Sequence, residues 1–343
     1  MSLENYFATL LGCAIGDSLG MSVEGWKKEQ IKKYVGKITS PIEPVVVKEN
    51  GIQIKYDEFG KIKDYTTDLK KGEFTDDTIL TLAIAESISE RRSLDLEDIA
   101  RKQLQAYKSQ PVVNGKILGG FGYTTEMGFK NLEKGISPLS SGVIGAPGNA
   151  PAMKISPVGL YMDATLKYSL GLEVAELIGK TTHLDPRSVA SGVVQAHAVY
   201  SLLQGISRKN FVDSLYKVCL KHEKPVNEKF KFHQAGSLAS RLEWIKDNMN
   251  TDPETAFNKL GNSSSSYQSY PFAIFMFQKF WNKPIEGLIE TINYGGDCDT
   301  TGAIYGALAG ANNGLIFPKE WTEVIKQKPR IENLAKNLYK LKV

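Results

Sequence analysis

Along much of this chain apolar residues return every three or four positions, the period of a helix with one face against a core. Ile79, Leu82, Ala83 and Ile88 form one such run. The pattern predicts helices over 5–19, 78–90, 96–108, 157–167, 173–180, 187–204, 210–221, 234–246, 267–281, 285–293 and 301–312, so the architecture is expected to be mostly α. One stretch alternates instead. Val45, Val46 and Val47, then Glu49-Asn50-Gly51, then Ile52, Ile54 and Tyr56 predict a small β-hairpin excursion near 45–65, built around an Asn-Gly turn. Residues 119–148 carry Gly-Gly-Phe-Gly-Tyr at 119–123 and Gly-Ala-Pro-Gly-Asn at 145–149, a composition expected of loops and broken helix. The four serines at 263–266 read as a mobile loop tip. No repeat of solenoid period is present.

Composition narrows the class. With 343 residues, 42% hydrophobic and 23% charged, the chain can bury a large core, and disorder is not its expected state. No linker rich in Pro, Ser or charge divides it, so we expect one domain over 1–343. The net charge of +4 comes mostly from scattered lysines. That excludes a continuous nucleic-acid footprint, although a mildly basic surface would help gather an anionic substrate. Cys13, Cys219 and Cys298 form no CxxC pair and leave one over in any disulfide scheme, which points to a reducing cytoplasm and away from structural zinc. Leu10-Leu11-Gly12-Cys13 faintly resembles a lipoprotein cleavage box. No Lys or Arg precedes it and Asp17 follows, so neither a signal peptide nor a membrane anchor is expected. No apolar run approaches the roughly 20 residues that span a bilayer.

The chemistry is concentrated in two short runs, Thr75-Asp76-Asp77-Thr78 and Asp297-Cys298-Asp299-Thr300, each standing just before a helical segment. By itself the first run is a helix start: Thr75 suits the N-cap, and acids in the first turn interact favourably with the helix dipole by roughly 0.3–1 kcal/mol. The second run changes that reading. Adjacent carboxylates repel each other unless a cation lies between them. Two helix starts with two acids and a hydroxyl each offer six hard oxygens: Thr75, Asp76, Asp77, Asp297, Asp299 and Thr300. Such donors suit Mg²⁺ or Mn²⁺, whereas zinc favours His and Cys. Gly295-Gly296 permits a tight backbone approach before the second run. Gly302, Gly306 and Gly310, spaced by four, leave one face of the following helix bare, so another helix is expected to lie very close against it.

A third element, Gly12-Cys13-Ala14-Ile15-Gly16-Asp17-Ser18-Leu19-Gly20 followed by Glu24, reads alone as a packing helix with a polar end. Taken together, GDSLGMSVE, GEFTDDT and GGDCDTTGAIYGALAG resemble the motifs of the ADP-ribosylglycohydrolase family, in order from about Leu10 to Gly310. The resemblance implies an all-α, single-domain orthogonal helical bundle. It implies that Thr75, Asp76 and Asp77 face Asp297, Asp299 and Thr300 around two divalent ions, Mg²⁺ or Mn²⁺, with Glu24 matching the family's mobile glutamate beside them. Gly119, Gly120, Gly122 and Tyr123, with the segment that opens on Gly148 and Asn149, resemble the loops that hold the pyrophosphate and riboses. Thr182-His183-Leu184-Asp185-Pro186-Arg187 resembles a segment whose histidine, here His183, faces the ligand. As a plain helix start, Asp185-Pro186 accounts for the same residues without a ligand. Two positions depart from the family pattern: Pro151 stands where a small residue is common, and Lys154 where arginine is usual.

The activity implied is hydrolysis of the glycosidic bond between ADP-ribose and a modified protein or small molecule, with arginine ranked above serine as acceptor. Glu24, Asp77 and Asp297 are the candidate catalytic acids, and spacing does not choose among them. Two other readings stand beside it. The acid count also suits a two-metal phosphohydrolase, and the fold can persist without turnover in a non-catalytic ADP-ribose-binding or crystallin-like protein. A monomer in the cytoplasm, with no nucleic-acid or membrane partner, is the expected state.

Overall fold

The computed structural model describes residues 2–45, 47–49, 52–54, 69–113, 116–226 and 236–343. Among them are seventeen helices: α1 (Leu3–Gly20), α2 (Lys28–Tyr34), α3 (Asp76–Arg91), α4 (Leu96–Lys108), α5 (Tyr123–Glu133), α6 (Ala150–Met153), α7 (Ser156–Thr165), α8 (Tyr168–Lys180), α9 (Pro186–Leu203), α10 (Arg208–His222), α11 (Leu238–Asp247), α12 (Pro253–Leu260), α13 (Ser266–Lys279), α14 (Pro284–Asn293), α15 (Cys298–Asn313), α16 (Lys319–Val324) and α17 (Lys328–Tyr339). The all-α architecture expected from the periodicity is present. All eleven expected helices form, with ends shifted by a few residues.

Six helices are additional, and their reasons differ. α2, α6 and α16 are shorter than two turns, too short to show a period. α5 begins inside the glycine-rich stretch and buries Thr124, Thr125, Gly128 and Phe129, a face with little apolar signal. α12 buries only Ala256 and Leu260. α17 does carry the helical period, at Ile331, Leu334, Ala335 and Leu338, and its signal was legible.

Of the expected hairpin, β1 (Val47–Glu49) runs antiparallel to β2 (Ile52–Ile54) with Glu49 opposite Ile52. The rest of that excursion, residues 46, 50, 51 and 55–68, lies outside the described residues. A second two-stranded hairpin, β3 (Val112–Val113) with β4 (Lys116–Ile117), was not expected.

One contiguous cluster of buried apolar side chains runs from Tyr6 to Leu341 and draws on most of the helices. At its centre α1 and α15 lie antiparallel, Gly12 against Gly306, Gly16 against Gly302 and Gly20 against Cys298. A Cβ at any of these three α1 glycines would overlap a backbone carbonyl of α15. The close partner expected for the α15 glycines is therefore α1. Because the pair is antiparallel, the C-terminal end of α1, just before Glu24, meets the N-terminal end of α15, just after Asp297. No helix among the described residues is long and apolar enough to cross a membrane.

Candidate functional site

Where these ends meet, a cavity of about 640 Å³ opens. Glu24, Asp76, Asp77, Asp297, Asp299 and Thr300 line it, together with Gly120, Gly122, Tyr123, Gly148, Asn149 and His183. Two predicted site residues stand back from it. Gly119 borders a neighbouring cavity, and its carbonyl accepts the Asp76 N–H at 2.7 Å. Thr75 is fully buried behind the acids.

The first turn of α3 is held from a distance. Thr75 occupies the N-cap position, but its side chain makes no capping bond. Asp17, from α1, does the capping instead: its carboxylate accepts the backbone N–H groups of Thr75 and Thr78, at 3.0 Å each, and their hydroxyls at 2.9 and 2.6 Å. Four donors on one buried carboxylate fix the direction in which Asp76 and Asp77 leave the helix. The Thr75 hydroxyl also lies 3.1 Å from Asp77 Oδ2, and Thr300 Oγ1 lies 3.4 Å from the same oxygen. The two acidic runs, far apart in sequence, thus share a contact.

The start of α15 depends on two glycines. Gly295 and Gly296 have φ of +72° and +70°, a region that suits glycine, and each backbone runs directly against another, Trp26 and Asn262 respectively. Gly25 N–H donates to Gly296 O, and Gly296 N–H to Trp26 O, at 2.8 Å each. This pairing brings the loop after α1 beside Asp297, so that oxygens of Glu24, Asp297 and Asp299 lie within 4.8 Å of one another. Asn149 Nδ2 donates to Asp297 Oδ2 at 2.6 Å and to Ser269 Oγ at 2.9 Å, which orients that carboxylate from the opposite wall.

Burial first, and neighbouring negative charge second, hold Asp76, Asp77 and Asp299 well above the usual carboxylate range. Burial also raises Asp17, to about 6, against the hydrogen bonds that favour its charge. Asp77 Oδ1 and Asp299 Oδ1 are buried with no hydrogen-bond partner among the described residues. Carboxylates that are crowded, buried and short of donors call for positive charge, which a hard cation would supply. The donor set fits Mg²⁺ or Mn²⁺ better than zinc. Cys298, although set between the two aspartates, turns its sulfur toward Gly20 O at 3.3 Å.

His183 is buried, and its Nδ1 lies 2.9 Å from Thr182 Oγ1. A Cβ on Gly148 would come within 2.7 Å of its Nε2, so glycine there is what lets the ring reach the cavity wall. Burial, then the nearby Lys154 charge, holds the imidazole down at about 3, and it is neutral at physiological pH. Asp185 and Pro186 also form the expected helix start: Asp185 caps α9 by accepting from Arg187 N–H at 2.9 Å.

The serine run is loop at 263–265, with Ser264 exposed, but it is tied down at both sides rather than ending in a free tip. Asn149 N–H donates to Ser264 O, Ser266 N–H donates to Pro147 O, and Ser266 is buried as the first residue of α13. A low-complexity composition concealed a wall of the cavity, closed by backbone bonds that no side-chain pattern announces. Sequence reasoning also passed over the capping role of Asp17, although its place within Gly-Asp-Ser-Leu-Gly was a signal. It took Asn149 only as a ligand contact, whereas the structure gives it an orienting bond to Asp297.

A sequence model of the ADP-ribosylglycohydrolase family matches residues 2–343. The chain is 28% identical to an ADP-ribosyl-[dinitrogen reductase] glycohydrolase of Rhodospirillum rubrum, covering 95% of this chain and 91% of that one. It is 26% identical to the ADP-ribosylhydrolase ARH3 of Homo sapiens, covering 78% of each. A solved structure titled ADP-ribosylglycohydrolase-related protein complex superposes with a TM-score of 0.67 at 25% identity, covering 99% of both chains.

Proposed function

Because this chain belongs to the ADP-ribosylglycohydrolase family, we propose that it hydrolyses the glycosidic bond joining ADP-ribose to a modified target, with arginine as the first acceptor to test and serine the second. The observation that carries this reading is the meeting of both acidic helix starts and Glu24 on one cavity large enough for a nucleotide-sized ligand.

In this reading Thr75, Asp76, Asp77, Asp297, Asp299 and Thr300 would hold two divalent cations, Mg²⁺ or Mn²⁺. When bound, such ions supply positive charge that polarises ribose hydroxyls and water. Asp77 and Asp297 present their carboxylates from opposite helix starts and hold the reacting face of the ribose between them. Glu24, on the loop rather than on a helix, takes the proton from the attacking water as oxocarbenium character develops at the anomeric carbon. Gly120, Gly122 and Gly148 let backbone N–H groups approach the pyrophosphate without a lysine-bearing loop, with Gly119 supporting that turn from behind. Tyr123 and Asn149 border the ribose and base. Neutral His183 serves as a hydrogen-bonding wall rather than as a cation.

The test is incubation with ADP-ribosyl-arginine and ADP-ribosyl-serine peptides, each with Mg²⁺, with Mn²⁺ and with chelator, reading products by mass. Release of intact ADP-ribose only when a divalent ion is present is the expected result. AMP as product would move the protein to the phosphohydrolases, tight binding without release would make it a binding protein, and full turnover in chelator would remove the cations from the mechanism.

A further inference from the structure

Lys154, directly after α6, is fully buried, and its Nζ has no hydrogen-bond partner among the described residues. A lysine ammonium is rarely left so, because removal from water costs several kcal/mol unless nearby negative charge offsets it. Lys154 lies behind the cavity wall rather than on it: Ala150 and Met153, just before it, are lining residues. The Thr81 hydroxyl donates to the carbonyl of Asp77 at 2.7 Å and lies 3.3 Å from that of Met153, which ties this turn to the start of α3. From that position the ammonium is attracted by Asp76 and disfavours a proton on His183, while burial pulls it down to about 7.

We propose that Lys154 is an internal counter-cation: its ammonium offsets part of the negative charge of the carboxylate bed when no divalent ion is bound, and competes with that ion when one binds. This inference rests on the cation-binding reading given above. It makes Lys154 a positioning residue that acts through Asp76, without touching substrate. The sign of its effect is unusual. Damage to the packing around a buried residue lowers ligand affinity, whereas removal of a competing charge raises it. A buried unit charge near a divalent ion opposes it even at an effective dielectric of about 20, and with partial charging and relaxation its removal is expected to gain on the order of tenfold in affinity.

The experiment is calorimetric titration of the whole protein with Mn²⁺, alongside melting curves with and without the ion. Lys154→Met is expected to bind Mn²⁺ about tenfold more tightly than wild type and to gain more in melting temperature on loading. Lys154→Arg, which keeps the charge, is expected to bind no more tightly than wild type. If the methionine variant does not fold, Lys154→Gln gives the same comparison. Unchanged or weaker binding by the neutral variant overturns the counter-cation role while leaving the cation site standing. Absence of Mn²⁺ binding by the wild-type protein overturns both.

Discussion

The base of the cavity and its wall are built in opposite ways. In the base, α1 and α15 touch backbone to backbone through Gly12, Gly16, Gly20, Gly302 and Gly306, and the acids stand on helix ends held by that contact. The wall is made largely of loops, together with the first turn of α5. Gly120 takes a φ of +89° and Tyr123 is 74% exposed. Under the proposed function, atoms that must be fixed to a fraction of an ångström would stand where neither helix has room to move, and groups that meet a variable target where side chains can change at little cost to the core.

Gly16→Val is the substitution that should break the base outright. A side chain there has nowhere to go but into the Gly302 carbonyl, and a loss on the order of 4 kcal/mol or more, read by denaturant unfolding, is expected. Melting of the variant within a degree or two of wild type would show that the helix pair is looser than its geometry.

Asp77→Asn and Asp297→Asn probe the chemistry of the base without its packing. Each should lose divalent-ion binding and at least about a thousandfold in turnover, roughly 4 kcal/mol, while the helical circular dichroism persists. Asp77 is a buried, crowded carboxylate with an unbonded oxygen, so its neutral replacement should leave the metal-free protein no less stable. A large drop in metal-free melting temperature would mean that these acids serve the fold first.

The wall has a measurable signature in acid. His183 is held near 3 in the fold and returns to about 6.5 when unfolded, so between those values the unfolded state binds the extra proton. Its contribution to stability is fully present above about pH 6.5 and declines by up to about 1.4 kcal/mol per pH unit as the pH falls toward 3. His183→Gln should flatten the acid side of the stability curve by that slope; His197, held near 4 by burial, supplies a similar slope that remains. An unchanged slope in the variant would place His183 in contact with solvent.

The smallest effect is expected at the rim. Tyr123→Ala should leave the melting temperature unchanged and alter kcat/KM by less than about tenfold, by different factors for arginine- and serine-linked substrates. Equal loss for both acceptors would sharpen the contrast in another way, by assigning Tyr123 to the ADP-ribose half that they share.

Much of this molecule was legible in the chain, because the signals were local. A period of three to four residues marks eleven helices, the alternation after Val45 marks the paired strands β1 and β2, and the α15 glycines announced a close helical neighbour. The paired acids at two helix starts could be read as one cation bed because like charges side by side require an explanation wherever they occur. Local signals failed where the fold relies on hydrogen bonds between distant segments. Asp17 caps a helix 58 residues away, Asn149 orients an aspartate 148 residues away, and residues 264 and 266 close a wall against 147 and 149. Composition and spacing carry the conformational preferences of a few neighbouring residues, so they determined which elements form and which chemistry each carries. Which donor reaches which carboxylate depends on how helices pack over the whole core, and only the tertiary structure decided it.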